Sequence, residues 1–182
     1  MNALQFALCL IKACGGKVQG RTLLQKTGYF VSILSGFSPE LLQYRAHYYG
    51  PYSAILDSTL TQLKNLGFVE EANTGFGVLS GGFEVRRYDY SLTEDGEEIC
   101  KPLVSKPEYP AIQKAIQTIQ GAGEPNYMEL SIAAKAYYIL LKRGEPMTRH
   151  QVVEEAKKFN WSISDQSLNH AVDLLHHVQL AE

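Results

Sequence analysis

The side chains that could do chemistry in this chain are few and scattered. Five histidines, His47, His150, His170, His176 and His177, could ligate a metal or move protons. None stands in an H-E-x-x-H pair, and none joins cysteines at zinc spacing. His170 and His177 are seven apart and can share a helix face, a pairing that polar helix surfaces often produce. Cys9, Cys14 and Cys100 contain no C-x-x-C pair, and an odd count without metal spacing reads as reduced thiols in a cytoplasm. Glu94, Asp95, Glu97 and Glu98 cluster without a partner acid or base, and a solvated helix start accounts for them. The glycines between 75 and 82 lack the Lys-Ser/Thr pair and following helix of a phosphate loop. No G-x-S-x-G elbow occurs. The expectation is therefore no enzyme, no metal and no cofactor.

Binding chemistry is better represented. Residues 1–64 hold Lys12, Lys17, Arg21, Lys26, Arg45 and Lys64 against Glu40 and Asp57, and Arg86 and Arg87 follow. The whole chain of 182 residues carries a net charge of −2, which argues against coating nucleic acid but leaves room for a local basic face. The candidate binding set is Lys17, Arg21, Lys26, Tyr52, Ser53, Ser58, Gln62, Lys64, Arg86 and Arg87. Gln can read adenine edges, and Ser can reach bases or phosphate. Arg21 and Lys26 near a helix start disfavour the helix slightly, so they read as groups that attract an anion. The alternative is that Arg21 pairs internally with Glu40, Asp57 or another acid. Tyr44, Tyr48, Tyr49 and Tyr52, if exposed, point instead to a protein interface.

The elements that must position these residues follow from periodicity. Leu4, Ala7, Leu8 and Ile11 predict a helix over 2–13, ended by Gly15 and Gly16. Thr22 and Gln25 have capping-box spacing, which predicts a second helix over 22–35. Ser38-Pro39-Glu40 opens a short helical turn, and alternation over 43–49 reads as a strand. Pro51 is expected to start a third helix running to Leu66, with Leu56, Leu60 and Leu63 inward. Strands are predicted over 68–72 and 82–90 around a glycine-rich tip at 73–81, then a helix capped by Thr93.

Helix, helix, helix and a two-stranded wing, closed by Tyr90-x-Leu92-Thr93-x-x-Gly96, resembles the winged helix-turn-helix of prokaryotic regulators. More narrowly, GGKVQGRTLLQKTGYF with HYYGPYS and LKNLGFVEE resembles the YwgA-like prokaryotic family, and more distantly the Panacea, or SocA-like antitoxin, domain. The match covers about the first 95 residues and departs from Panacea at Tyr52-Ser53. The resemblance implies a helix-turn-helix scaffold used for DNA or for protein recognition.

Behind it, Pro102, Pro107 and Pro110 mark a linker at 102–109, and 110–182 read as a helical unit. Ile112, Ala115, Ile116 and Ile119 give one helix; Leu130, Ala133, Ala134, Tyr137, Tyr138 and Leu141 give another. Thr148 and Gln151 repeat the capping-box spacing, and a last helix begins near Ser164. The expected fold is mainly α with a small antiparallel β-wing: a winged helix-turn-helix over 1–101, then an HTH-like unit. No apolar run reaches the roughly 18 residues of a membrane span, and the first residues lack a signal's basic start. The expected function is a cytoplasmic DNA-binding regulator on double-stranded DNA, with a protein-binding adaptor or antitoxin-like protein as alternative and a homodimer as one assembly.

Overall fold

A computed structural model describes residues 1–37, 39–78, 84–123 and 127–181, with side chains left undescribed at 39, 75–78 and 84–86. The first helix, α1 (Ala3–Ala13), opens on a reciprocal capping box between Asn2 and Gln5. Phe6 to Ile11 are all buried, so this helix is enclosed on every side and serves as the axis of the front half. Two left-handed glycines, Gly15 and Gly16, end it and turn the chain into β1 (Lys17–Val18).

The second helix, α2 (Arg21–Leu34), is capped by Gly20 with no side-chain cap. The expected Thr22–Gln25 capping box does not form, because Gln25 is buried and spends its amide on Ser53. A short α3 (Pro39–Leu42) leads into a tight hairpin of β2 (Arg45–His47) and β3 (Gly50–Tyr52). Pro51 therefore lies in a strand and not at a helix start. The third long helix, α4 (Ala54–Asn65), begins later, capped by the Ser53 hydroxyl on the Leu56 amide.

The wing is β4 (Val69–Val78) against β5 (Glu84–Leu92), and β1 joins the far edge of β5, giving the antiparallel order β1-β5-β4. The tip at 79–83 lies outside the described residues, as do the first two positions of the strand expected at 82–90. The closure of the wing depends on α5 (Glu94–Val104): Thr93 caps it through the Gly96 amide and donates its hydroxyl to the Gly67 carbonyl. A Cβ on Gly96 would stand 2.1 Å from the Phe68 carbonyl oxygen. Only glycine fits that contact.

Pro102 does not break the chain as a linker; it sits on the exposed side of α5, which continues to Val104. After a short turn, α6 (Tyr109–Gly121) packs Ile112, Ala115, Ile116 and Ile119 on α1 and α2. Then α7 (Tyr127–Arg143) lies on α2 and β3, with α8 (Arg149–Lys157) and α9 (Asp165–His177) packed on it. Thr148 and Ser164 each form the capping boxes that start these last helices. The result is an α-rich fold with a β-wing, and one hydrophobic cluster runs through both halves. No described helix is long and apolar enough to cross a membrane.

Candidate interface around the fourth helix and the tyrosine hairpin

The face expected to meet a ligand is formed by α2's first turn, α4 and the wing. Ser58, Thr61, Gln62 and Asn65 stand exposed along α4. The Ser58 and Thr61 hydroxyls already donate to their own helix, at the Ile55 and Asp57 carbonyls. Lys17 is exposed at the start of β1. Of these, Lys17, Ser58 and Gln62 belong to the set expected from the sequence, and all three are exposed.

The cations around α4 are largely committed. Arg21 donates from Nε to the Tyr90 hydroxyl at 3.0 Å and lies 3.5 Å from Glu71, 3.7 Å from Asp57 and 5.3 Å from the centre of the Tyr88 ring. The Tyr90 bond and these carboxylates raise its pKa further. Lys64 pairs with the other Glu71 oxygen. Burial alone would raise the Glu71 carboxyl, but Lys64, Tyr90 and Arg21 together hold it below the ordinary range. Arg87 is bound to buried Asp89 at 2.8 Å and to Thr74. Arg86 pairs in register with Gly75, and its side chain lies outside the described residues.

Two residues of the expected set are not surface groups at all. Lys26 is 2% exposed and donates from Nζ to the Pro51 carbonyl at 2.6 Å. Its place follows from packing on all sides: positions 24 to 32 of α2 are buried because α6, α7, β3 and β5 cover it. Burial, with Lys135 nearby, lowers its pKa to about 7. Ser53 is fully buried, giving its hydroxyl to the Leu42 carbonyl while capping α4. Neither can touch a phosphate from outside. The leucine-Gln-Lys stretch and the Tyr-Gly-Pro turn thus form an internal clamp: Gln25 holds Ser53, Lys26 holds Pro51, and Tyr44 donates to the Gln25 carbonyl.

The tyrosines divide. Tyr44 is packed edge-on to Tyr29 inside the fold. Tyr52 is half-buried, its ring 4.9 Å from that of His47, and burial with the nearby Asp57 carboxylate raises its pKa. Tyr48 and Tyr49, at the hairpin turn, are 79% and 66% exposed. Sequence reading named these rings but missed what holds them up: Trp161, 114 residues away, donates its indole N–H to the His47 carbonyl at 2.6 Å.

Elsewhere the chemistry is sparse. Burial raises the Cys9 and Cys14 thiols to about 12 and the Cys100 thiol to about 11, so none is a ready nucleophile. Glu129, His170, Asp173 and His177 line a shallow depression between α7 and α9, but among the described residues no group of three or more His, Cys, Asp or Glu is arranged to hold a metal.

No family model matches this chain. It is similar to the uncharacterized protein YwgA of Bacillus subtilis (strain 168), 27% identical over 159 residues that span 87% of this chain and 89% of that protein. The similarity runs through both halves and supports the YwgA-like resemblance.

Proposed function

We propose that this protein is a recognition adaptor that binds another protein, using a winged-helix scaffold of the kind also used by Panacea-type antitoxin domains. One observation carries the reading: Arg21 and Lys64, the cations flanking α4, are held by Asp57 and Glu71 on the same face. A duplex presents one negative charge per roughly 1.7 Å of axis, and two carboxylates at the centre of the docking face oppose it. Tyr48 and Tyr49 supply what a protein interface uses instead, rigid amphipathic rings with little rotamer entropy to lose.

A second reading, a DNA-binding transcriptional regulator, is favoured by the strand order β1-β5-β4 behind α4 and by the exposed Gln62 and Asn65 along that helix. Exposed Lys17 would then make a phosphate contact. Affinity for a mixed-sequence duplex at two salt concentrations separates the two readings, run beside co-purification from the native host with wild type and Tyr48→Ala/Tyr49→Ala. The adaptor reading expects weak duplex binding and a partner lost in the double variant. Duplex binding that falls steeply with salt and ignores the tyrosines would replace it with the regulator.

A further inference from the structure

Two settings recur among the cations. Arg21, Lys64 and Arg87, near α4 and the wing, face carboxylates. On α7, Lys135 and Lys142 face aromatic rings, while Arg143 at its end pairs with Glu145. Lys135 Nζ lies 5.8 Å from the centre of the Trp161 ring, and Lys142 Nζ 4.9 Å from that of Phe159. Phe159 and Trp161 are stacked at 4.8 Å, and Tyr138 meets both edge-on at 5.9 Å. Lys135, Tyr138 and Lys142 are spaced i, i+3, i+7 on α7, so they form one stripe. The stripe reaches the hairpin directly: the Lys135 stem packs beside Gly50, whose φ of +101° makes the turn, and Trp161 is bonded to His47. Beyond it stand exposed Arg45, His47, Tyr48 and Tyr49.

No acid lies within ion-pair distance of Arg45, Lys135 or Lys142 among the described residues. A cation over a ring keeps its charge available to a second partner, since the ring contributes only about 0.5–1 kcal/mol at an exposed site. The chain as a whole is acidic, and Glu155 lies near enough to feel Lys142, but Arg45, Lys135 and Lys142 stand without an ion-paired acid among the described residues along this band. Its charge, its ring edges and its length along α7 and the hairpin complement an extended segment that alternates carboxylates with apolar side chains.

We infer that the band from Arg45, Tyr48 and Tyr49 along Lys135 to Lys142 is a docking surface for an extended acidic peptide segment bearing aromatic or aliphatic residues. This rests on the adaptor reading and names the chemistry of its partner. Carboxylates reach Arg45 and Lys142 at the two ends, and an apolar side chain lies against Tyr48 and Tyr49 between them. Nucleic acid in single strands offers a related combination of charge and rings. The protein segment is favoured because no exposed ring besides Tyr48 and Tyr49 on the band is open enough for successive bases to stack: Trp161 is 2% exposed and Phe159 and Tyr138 are half-buried.

The test uses the full chain and a fluorescent random copolymer of glutamate and tyrosine, with polyglutamate and oligo(dT) as companion probes. The copolymer should bind, more tightly than polyglutamate, and weaken with salt. Arg45→Glu/Lys142→Glu should lower its affinity at least tenfold, and Tyr48→Ala/Tyr49→Ala should remove the advantage over polyglutamate. Lys17→Glu, on the other face, should change neither, and circular dichroism melts should certify each variant as folded. Tighter binding of oligo(dT) with the same pattern of losses would overturn the inference in favour of single strands. Equal losses with Lys17→Glu, or no copolymer binding, would overturn it as well. In those cases a native partner retained by Arg45→Glu/Lys142→Glu but lost on α4 substitution leaves the adaptor reading standing without this surface. A partner lost in neither removes both.

Discussion

The side-chain amide of Gln25 grips both backbone groups of Ser53, donating to its carbonyl at 3.0 Å and accepting from its N–H at 3.0 Å. Both atoms are buried, so the pair ties α2 to the residue that caps α4. Ser53 in turn holds Leu42, and the position of the hairpin relative to α4 is set at this one junction. Gln25→Ala leaves a buried donor and a buried acceptor unmet, at about 1–3 kcal/mol each. The variant should lose about 2–6 kcal/mol of stability, read as a lower denaturant midpoint at constant slope. A loss under about 0.5 kcal/mol would show that water replaces the clamp.

Lys26 gives a pH dependence with a defined sign. Its pKa is lowered to about 7 in the folded chain, from an ordinary 10.5, by burial and then by Lys135. Between those values the unfolded chain binds the extra proton, so this residue makes stability rise with pH from about 7 to about 10.5 and leaves it flat below. Its contribution to the slope approaches about 1.4 kcal/mol per pH unit in the middle of that window. Lys26→Met keeps the stem and removes the proton. It should flatten the rise in unfolding free energy over that window and be neutral or stabilising near pH 7. An unchanged slope in Lys26→Met would assign the rise to other groups.

How much of this could be read from the chain follows a physical line. Elements were legible where one local signal decides them: the apolar period of α1, the capping box at Thr148, and the Thr93 cap closing the wing. Thr22 with Gln25 carries the same spacing and misled, because the Gln25 side chain bonds the backbone of Ser53 instead of its own helix end. Lys26 misled for the same reason: a charge in sequence reads as surface, and only the covering of α2 by four other elements shows otherwise. Of the site, Tyr48, Tyr49 and the polar row on α4 were visible. The ties of Glu71 and Tyr90 to Arg21 and of Trp161 to His47 were not, since each spans 50 or more residues and no spacing rule connects the partners.

The carboxylates under α4 make a prediction about nucleic acid. Asp57→Asn/Glu71→Gln removes two negative charges from that face and releases Arg21 and Lys64 from their partners. Duplex affinity at low salt should therefore increase, and the log–log salt slope should steepen by about 0.9 for each phosphate newly neutralised. The cost to stability should be modest, because Arg21 is nearly half exposed and keeps its bond to Tyr90. A fluorescence titration at two salt concentrations on the double variant and wild type reads both quantities. No gain in affinity would mean that shape, rather than charge, keeps duplex from this face.

Trp161 should matter to the hairpin more than to the fold. Trp161→Phe preserves an aromatic ring beside Phe159 and Tyr138 but deletes the N–H that holds the His47 carbonyl. That carbonyl lies in β2, whose three residues are all exposed, so water can take over and the global loss should be small, about 0.5–1.5 kcal/mol. Locally the effect is larger, because a two-stranded ribbon is marginal without something packed on it. Hydrogen exchange at 44–52 should quicken in Trp161→Phe while α1 and α2 stay protected, as expected when one local unit opens by itself. If Tyr48 and Tyr49 carry recognition, the same variant should also weaken binding by raising the cost of ordering the hairpin, without any change at the tyrosines themselves. Uniform acceleration across all helices would show that the indole bond is part of the global core and would detach the hairpin's order from recognition.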